Sequence, residues 1–243
     1  MRYVQWRKWS PRVCRLAIHA LLASTCIGFP AAVSRPQSKD DWEQSPEAQR
    51  FEQQQKADRA ELVRINGSGT DPKLRAELLA MGKTDQDIRT RLFALPSAQQ
   101  STLAPELEHT DATLTATLKQ IVAGHGWPTI ALVGLEASQA AALILIHSPD
   151  HDFQRRLLPE LQRLVERKKI VGGDIATLVD KTLVAEGKPQ RFGTQFAWKG
   201  DGPMVMDPVE DPEHLDQRRE MYLLPPMSLY KRMLAEMYHR EVR

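Results

Sequence analysis

Cysteine is nearly absent: the 243 residues hold two, Cys14 and Cys26, and none follows position 26. The chain beyond that point therefore folds without an internal disulfide, a thiolate metal site or a cysteine nucleophile. Also missing are the Gly-x-Ser-x-Gly turn that exposes a hydrolase serine and the glycine loop that cradles phosphate. Aromatic residues are only 6% of the chain and nowhere interleave with a basic stripe, which argues against a nucleic-acid partner. No internal repeat is present, and nothing calls for a cofactor or a metal.

Acidic residues are missing from positions 1–34, which hold Arg2, Arg7, Lys8, Arg12 and Arg15 followed by an apolar run from Leu16 to Val33. A basic start, an apolar middle and small residues at Ala32-Val33-Ser34 are the layout of an export signal, so we expect cleavage near Ser34 and a periplasmic or secreted protein. Lipidation at Cys26 and a retained N-terminal anchor are lesser alternatives. Thr25 is bulky for a lipoprotein box, and the apolar run falls just short of the ~20 residues a span needs. Removing these residues leaves 28 Lys+Arg against 31 Asp+Glu, so the full-length charge of +2 becomes about −3. No membrane span is expected in the mature chain, and the sequence carries no signal for oligomeric state.

Residues 35–70 are rich in Gln, Glu, Lys and Ala, and read as a polar tether, partly disordered or helical. Asp71-Pro72 then supplies an N-cap and a first-turn proline, and a globular helical domain is expected over 71–243. Leu74, Leu78, Met81, Ile88 and Leu92 form one helical stripe with Asp85 near its middle. A buried carboxylate needs partners, and Arg89 is one turn on. A second helix is expected over about 111–123. Gly126-Trp127-Pro128-Thr129 forms a tight joint, in which Trp127 either plugs the core or floors a pocket.

Glu136 to His147 is apolar on nearly every side, as befits the central helix of a bundle, and is too short to be a transmembrane span. His147 closes it. Further helices are expected from Asp150 to Gly172 and from Asp174 to Gly187, with Asp180 at the edge of an apolar arc. Residues 190–206 change to a period of two and read as a small β-hairpin; Leu215–Met221 and residues 228–240 read as terminal helices. The expected fold is mainly α, a single-domain helical bundle carrying that hairpin.

Several of these residues form a set. Asp85-Gln86 with Arg89, Gly126-Trp127-Pro128-Thr129, Val133-Gly134, His147, Asp180, Gln190, Gly193-Thr194-Gln195 and Arg218-Arg219 resemble, in order and spacing, the bacterial family called domain of unknown function 6624. The resemblance spans about Leu74 to Tyr230 and implies no activity. Two positions depart from its pattern: Lys181, usually Arg, and Phe192, usually Tyr.

The candidate catalytic residues are His147, as general base, and Asp180. Asp85 and Asp180 are alternative orienting groups for that histidine. Candidate ligand contacts are Asp85, Gln86, Arg89, Trp127, Gln190, Thr194, Gln195 and Arg219. His147 and His151 are four apart, but Pro149 between them breaks the helical geometry a shared metal would use. The leading expectation is an exported domain that binds a small polar or peptide-like ligand in a pocket at the end of the central helix. The alternatives are a hydrolase-like enzyme built on His147 and a structural or interaction domain of the cell envelope.

Overall fold

The computed structural model describes residues 45–243 except 199 and 201. The expected export signal, its cleavage near Ser34 and Cys26 lie outside the described residues. Ser45 caps helix α1 (Pro46–Asn66), its hydroxyl accepting from the Ala48 amide at 3.2 Å, and Asp71 caps α2 (Pro72–Ala94) through the Leu74 amide at 2.9 Å. Then follow a 3₁₀ segment (Ser97–Leu103), α3 (Ala104–His125), α4 (Ile130–Val133), α5 (Leu135–His147), α6 (His151–Glu166) and α7 (Gly173–Ala185). A two-stranded hairpin, β1 (Phe196–Ala197) and β2 (Val205–Met206), precedes a short 3₁₀ turn, α8 (Leu215–Met221) and α9 (Met227–Tyr238). The fold is thus mainly α with one antiparallel hairpin. Among the described residues no helix is long and apolar enough to cross a membrane.

Helix α5 is the centre. Ala137, Ala141, Ile144, Leu145 and Ile146 are buried against neighbours that include α2, α3 and α7, and each fully buried large aliphatic contributes ~1.5–3 kcal/mol. Helices α2 and α5 run side by side in the same direction: Gly69, before α2, abuts Val133 and Gly134 before α5, Gly82 abuts Ala140, and Asp85 reaches His147. Small residues at the crossing let the helices come close enough for that last contact. A Cβ at position 82 would stand 2.8 Å from the Ala140 Cβ. Alanine is worth ~1 kcal/mol more than glycine in a helix, but overpacking costs ~1–3 kcal/mol. Gly82→Ala is therefore expected to destabilise the fold in urea denaturation, and adding Ala140→Gly to restore most of the loss.

Three stretches differ from their sequence reading. Helix α3 begins at Ala104, not near 111, because Pro105 suits a first turn and the preceding polar residues wind into 3₁₀. The hairpin strands are two residues each, since residues 190–194 leave the strand to wrap around Asp180, and the tail pairs with the hairpin instead: Met204 bridges Val242. Asp174, expected from the sequence as the N-cap of its helix, lies instead in the first turn of α7 and makes no cap bond, the cap position being Gly172. Residues 46–66 form one 21-residue helix that buries Leu62 with Ile130, Leu135 and Val171, and Ala48 with Leu229 and Met233.

Candidate functional site

The polar residues singled out above gather into two buried networks. The first sits at the C-terminal end of α5. Asp85 Oδ1 receives His147 Nδ1 at 2.8 Å and faces Arg89 Nη1 at 2.9 Å, while its Oδ2 accepts from the Gln86 amide at 2.7 Å. Arg89 turns its other nitrogen to Asp111, donating to both carboxylate oxygens at 2.8 and 3.1 Å. The side chains of His147 and Asp85 are 2% and 1% exposed, so this is an interior ion network whose outer members are the partly buried Gln86 and Asp111, the latter at 15%.

Burial alone would push the Asp85 carboxyl up, but the His147 hydrogen bond and the Arg89 charge bring it below its ordinary value. Burial raises Asp111 to about 6 against the pull of Arg89. His147 is lowered to about 4 by burial, opposed by the Asp85 bond. It is therefore neutral near pH 7. Because a carboxylate only accepts, Nδ1 carries the proton and Nε2 is a bare acceptor. Nε2 is also buried and has no hydrogen-bond partner.

With a folded pKa below the ordinary 6.5, the contribution of the neutral imidazole is complete above 6.5 and is lost as pH falls through about 4. Wild type is expected to lose roughly 3 kcal/mol more stability between pH 7 and pH 4 than His147→Gln, from the shift of one pKa unit per 1.36 kcal/mol. Urea denaturation at both pH values measures this; equal losses would contradict it.

The second network holds the loop that leads into the hairpin. Asp180 accepts from the amides of Arg191 (2.7 Å), Phe192 (3.0 Å) and Thr194 (2.9 Å) and from the Thr194 hydroxyl (2.8 Å). Gln190 donates to the carbonyls of Gln195 and Asp207 and accepts from the Gln195 amide, so both ends of its side chain are engaged. The Gln195 side chain donates to the Thr194 hydroxyl. Arg219, fully buried, donates to the Pro225 and Phe192 carbonyls and stacks on Tyr230 at 4.6 Å from the ring centre. Phe192 is held from both sides, its amide by Asp180 and its carbonyl by Arg219.

Asp85, Gln86, Arg89 and His147 thus belong together, as do Asp180, Gln190, Thr194, Gln195 and Arg219. The group that orients His147 is Asp85, and Asp180 faces its own loop. Trp127 is 4% exposed and packs in the main apolar core. His147 and His151 take different partners, Asp85 and Gln154. Among the described residues no three His, Cys, Asp or Glu side chains come together as a metal would require.

Sequence reasoning missed two members. Asp111 shares a helical face with Leu114 and Leu118, a signal like that of Asp85, but it was hidden by starting the helix at 111. Gln154, 3% exposed, donates to the carbonyls of Leu145 (2.7 Å), Ile146 and Ser148 and so satisfies the end of α5. Its signal was a polar residue in the stripe of Leu157 and Leu161. Lys181 also reaches the Ile146 carbonyl, at 3.1 Å. Beside these contacts lies a cavity of about 20 Å³ lined by His151, Gln154, Arg155, Lys181, Thr182, Ala185 and Glu186, room for one water. A shallow groove along Pro149–Arg155 adjoins it.

A family model described as a family of unknown function (DUF6624) matches residues 72–243. No curated protein and no solved structure matches the chain.

Proposed function

We propose, from the premise that the chain belongs to the DUF6624 family, that it is an exported domain that binds a small polar ligand at the C-terminal end of α5. The observation that carries this reading is His147: Nδ1 is fixed by Asp85, and Nε2 is a neutral, oriented acceptor without a partner. A buried acceptor left unsatisfied costs ~1–3 kcal/mol. A ligand that brings an O–H or N–H donor recovers that energy, and a small cavity lies beside Gln154 and Lys181, which bond carbonyls of the same helix end. Export rests on the basic and apolar character of residues 1–34.

The test is a screen of small hydroxylated and amide compounds against the full chain, read at the ¹⁵N resonances of the His147 ring. A saturable shift of Nε2 is expected for at least one class. If no compound moves it, the reading is wrong.

A hydrolytic reading draws on the same Asp85–His147 pair, with Nε2 taking a proton from water. It lacks support for the charge that would develop on the substrate, because the Gln190 amide is already engaged with backbone and that of Gln195 with Thr194. Turnover of an ester or amide panel that is abolished by His147→Gln, in a variant that still folds, would favour it.

A further inference from the structure

Helix α1 meets the rest of the fold along one thin stripe. Of its 21 residues only Ala48 and Leu62 are buried, and the half-buried Phe51, Gln55, Arg59 and Asn66 continue the same helical face. Ala48 packs with Leu229 and Met233 of α9, and Leu62 with Ile130, Leu135 and Val171. Polar ties hold the two ends: the Glu47 carboxylate meets Ser228 at 2.7 Å and also Arg232, and Asn66 donates to the Lys168 carbonyl at 2.7 Å. Between them Gln55 reaches the Leu223 carbonyl at 3.5 Å. The chain is next pinned at Thr70 and Asp71, whose amides bond the Leu132 carbonyl, and Gly67 forms the joint, at φ +81° with nothing within 4 Å of where its Cβ would stand. A helix with so little buried surface belongs to the low-stability end of a fold. It also lies before the residues that match the family.

The one charge at the centre of that stripe is Arg59, and it faces a carboxylate. Asp174, three residues after Val171 and in the first turn of α7, is 3% exposed, and among the described residues no donor bonds to it. The neighbouring Gly173 lies against Leu224 and the Tyr222 carbonyl, so α1 and the turn after α8 close over this end of α7. Arg59 is the one charged group that acts on Asp174, and it forms no direct ion pair with it. The Tyr222 hydroxyl answers instead to Glu166, Arg191 and Gln162. A carboxylate so placed is favoured neutral while it is covered and ionised once water reaches it. Burial raises Asp174 from its ordinary 3.8 to about 7 against the pull of Arg59. Its contribution to docking is therefore complete below 3.8 and is lost as pH rises through about 7.

We propose that α1 is a strap, docked across α4, α9 and the start of α7 while Asp174 is neutral and released about the Gly67 joint when Asp174 ionises. Release uncovers Ile130, Leu135 and Val171. Leu135 begins α5 and His147 ends it, so the strap works at the far end of the central helix from the proposed ligand site.

Hydrogen exchange of the full chain, expressed as protection relative to the unstructured rate at each pH, reads the release. Between pH 5 and pH 8 the α1 amides are expected to lose about 10–100-fold in protection, a loss that α2 and α5 do not share. Asp174→Asn, neutral at every pH, should keep the pH 5 protection of α1 throughout. Arg59→Gln removes the one charge that favours the ionised form and should enlarge the response. Equal α1 protection at both pH values, a loss shared by α2 and α5, or a response that survives Asp174→Asn overturns the proposal. Should the Asn variant fail to fold, an Arg59→Gln response no larger than that of wild type does the same.

Discussion

Asp85→Ala is expected to destabilise the protein by about 3–5 kcal/mol, the usual cost of removing one partner from a buried charged pair. The loss has two sources. His147 Nδ1–H is left without an acceptor in a site of 2% exposure, and Arg89 keeps Asp111, itself partly buried, as its one carboxylate among the described contacts, beside the backbone carbonyl of residue 85. Asp85→Asn keeps an oxygen for His147 and removes the charge facing Arg89, so it should cost less. Ligand response at His147 separates the roles further: the Asn variant folds with a less firmly oriented ring, and its binding should weaken more than its stability. Urea denaturation and the same ring titration measure the two effects side by side.

Asp180→Ala should cost a comparable amount, about 3 kcal/mol or more, because two buried amides and a partly buried one lose their acceptor at ~1–3 kcal/mol each. Asn is no remedy here. Oδ1 accepts the Arg191 and Phe192 amides, and Oδ2 accepts the Thr194 amide and hydroxyl, so an Asn amide turned either way points N–H at N–H. Asp180→Asn is therefore expected to lose at least ~2 kcal/mol, with hydrogen exchange accelerating first at residues 190–195. An Asn variant as stable as wild type would mean that the carboxyl is not the ionised, accept-only group these contacts require. The role of Asp180 is to hold the loop, and the loop in turn sets Phe192 under Arg219.

The sequence made the helical bundle legible because its apolar stripes are regular. Leu74, Leu78, Met81, Ile88 and Leu92 mark α2, and α5 announces its central position by being apolar on nearly every face. Asp85 was legible for the same reason: a carboxylate on such a stripe must find partners. Its pairing with His147, 62 positions away, depends on the crossing at Gly82 and Ala140, and no local pattern encodes that.

The residues around Asp180 were legible as unusual but not as a unit. Backbone amides were its partners, and they leave no mark in the choice of side chains at 191 and 192. The tail shows the same limit, for residues 241–243, beyond the expected helix over 228–240, carry no pattern of their own and yet pair with Met204 and Met206. What sequence alone presented as one constellation at the end of α5 is two networks, and each keeps a buried polar atom without a partner, Nε2 of His147 in the first and Nη2 of Arg219 in the second.

The most direct measurement is the charge and tautomer of His147 in the ligand-free protein at pH 7, read from its two ring ¹⁵N shifts and their coupling to the ring protons. A neutral ring with the proton on Nδ1 and a bare Nε2 is the predicted result. A charged ring, or a neutral one with its proton on Nε2, would contradict the account, since no free acceptor would then exist at the end of α5.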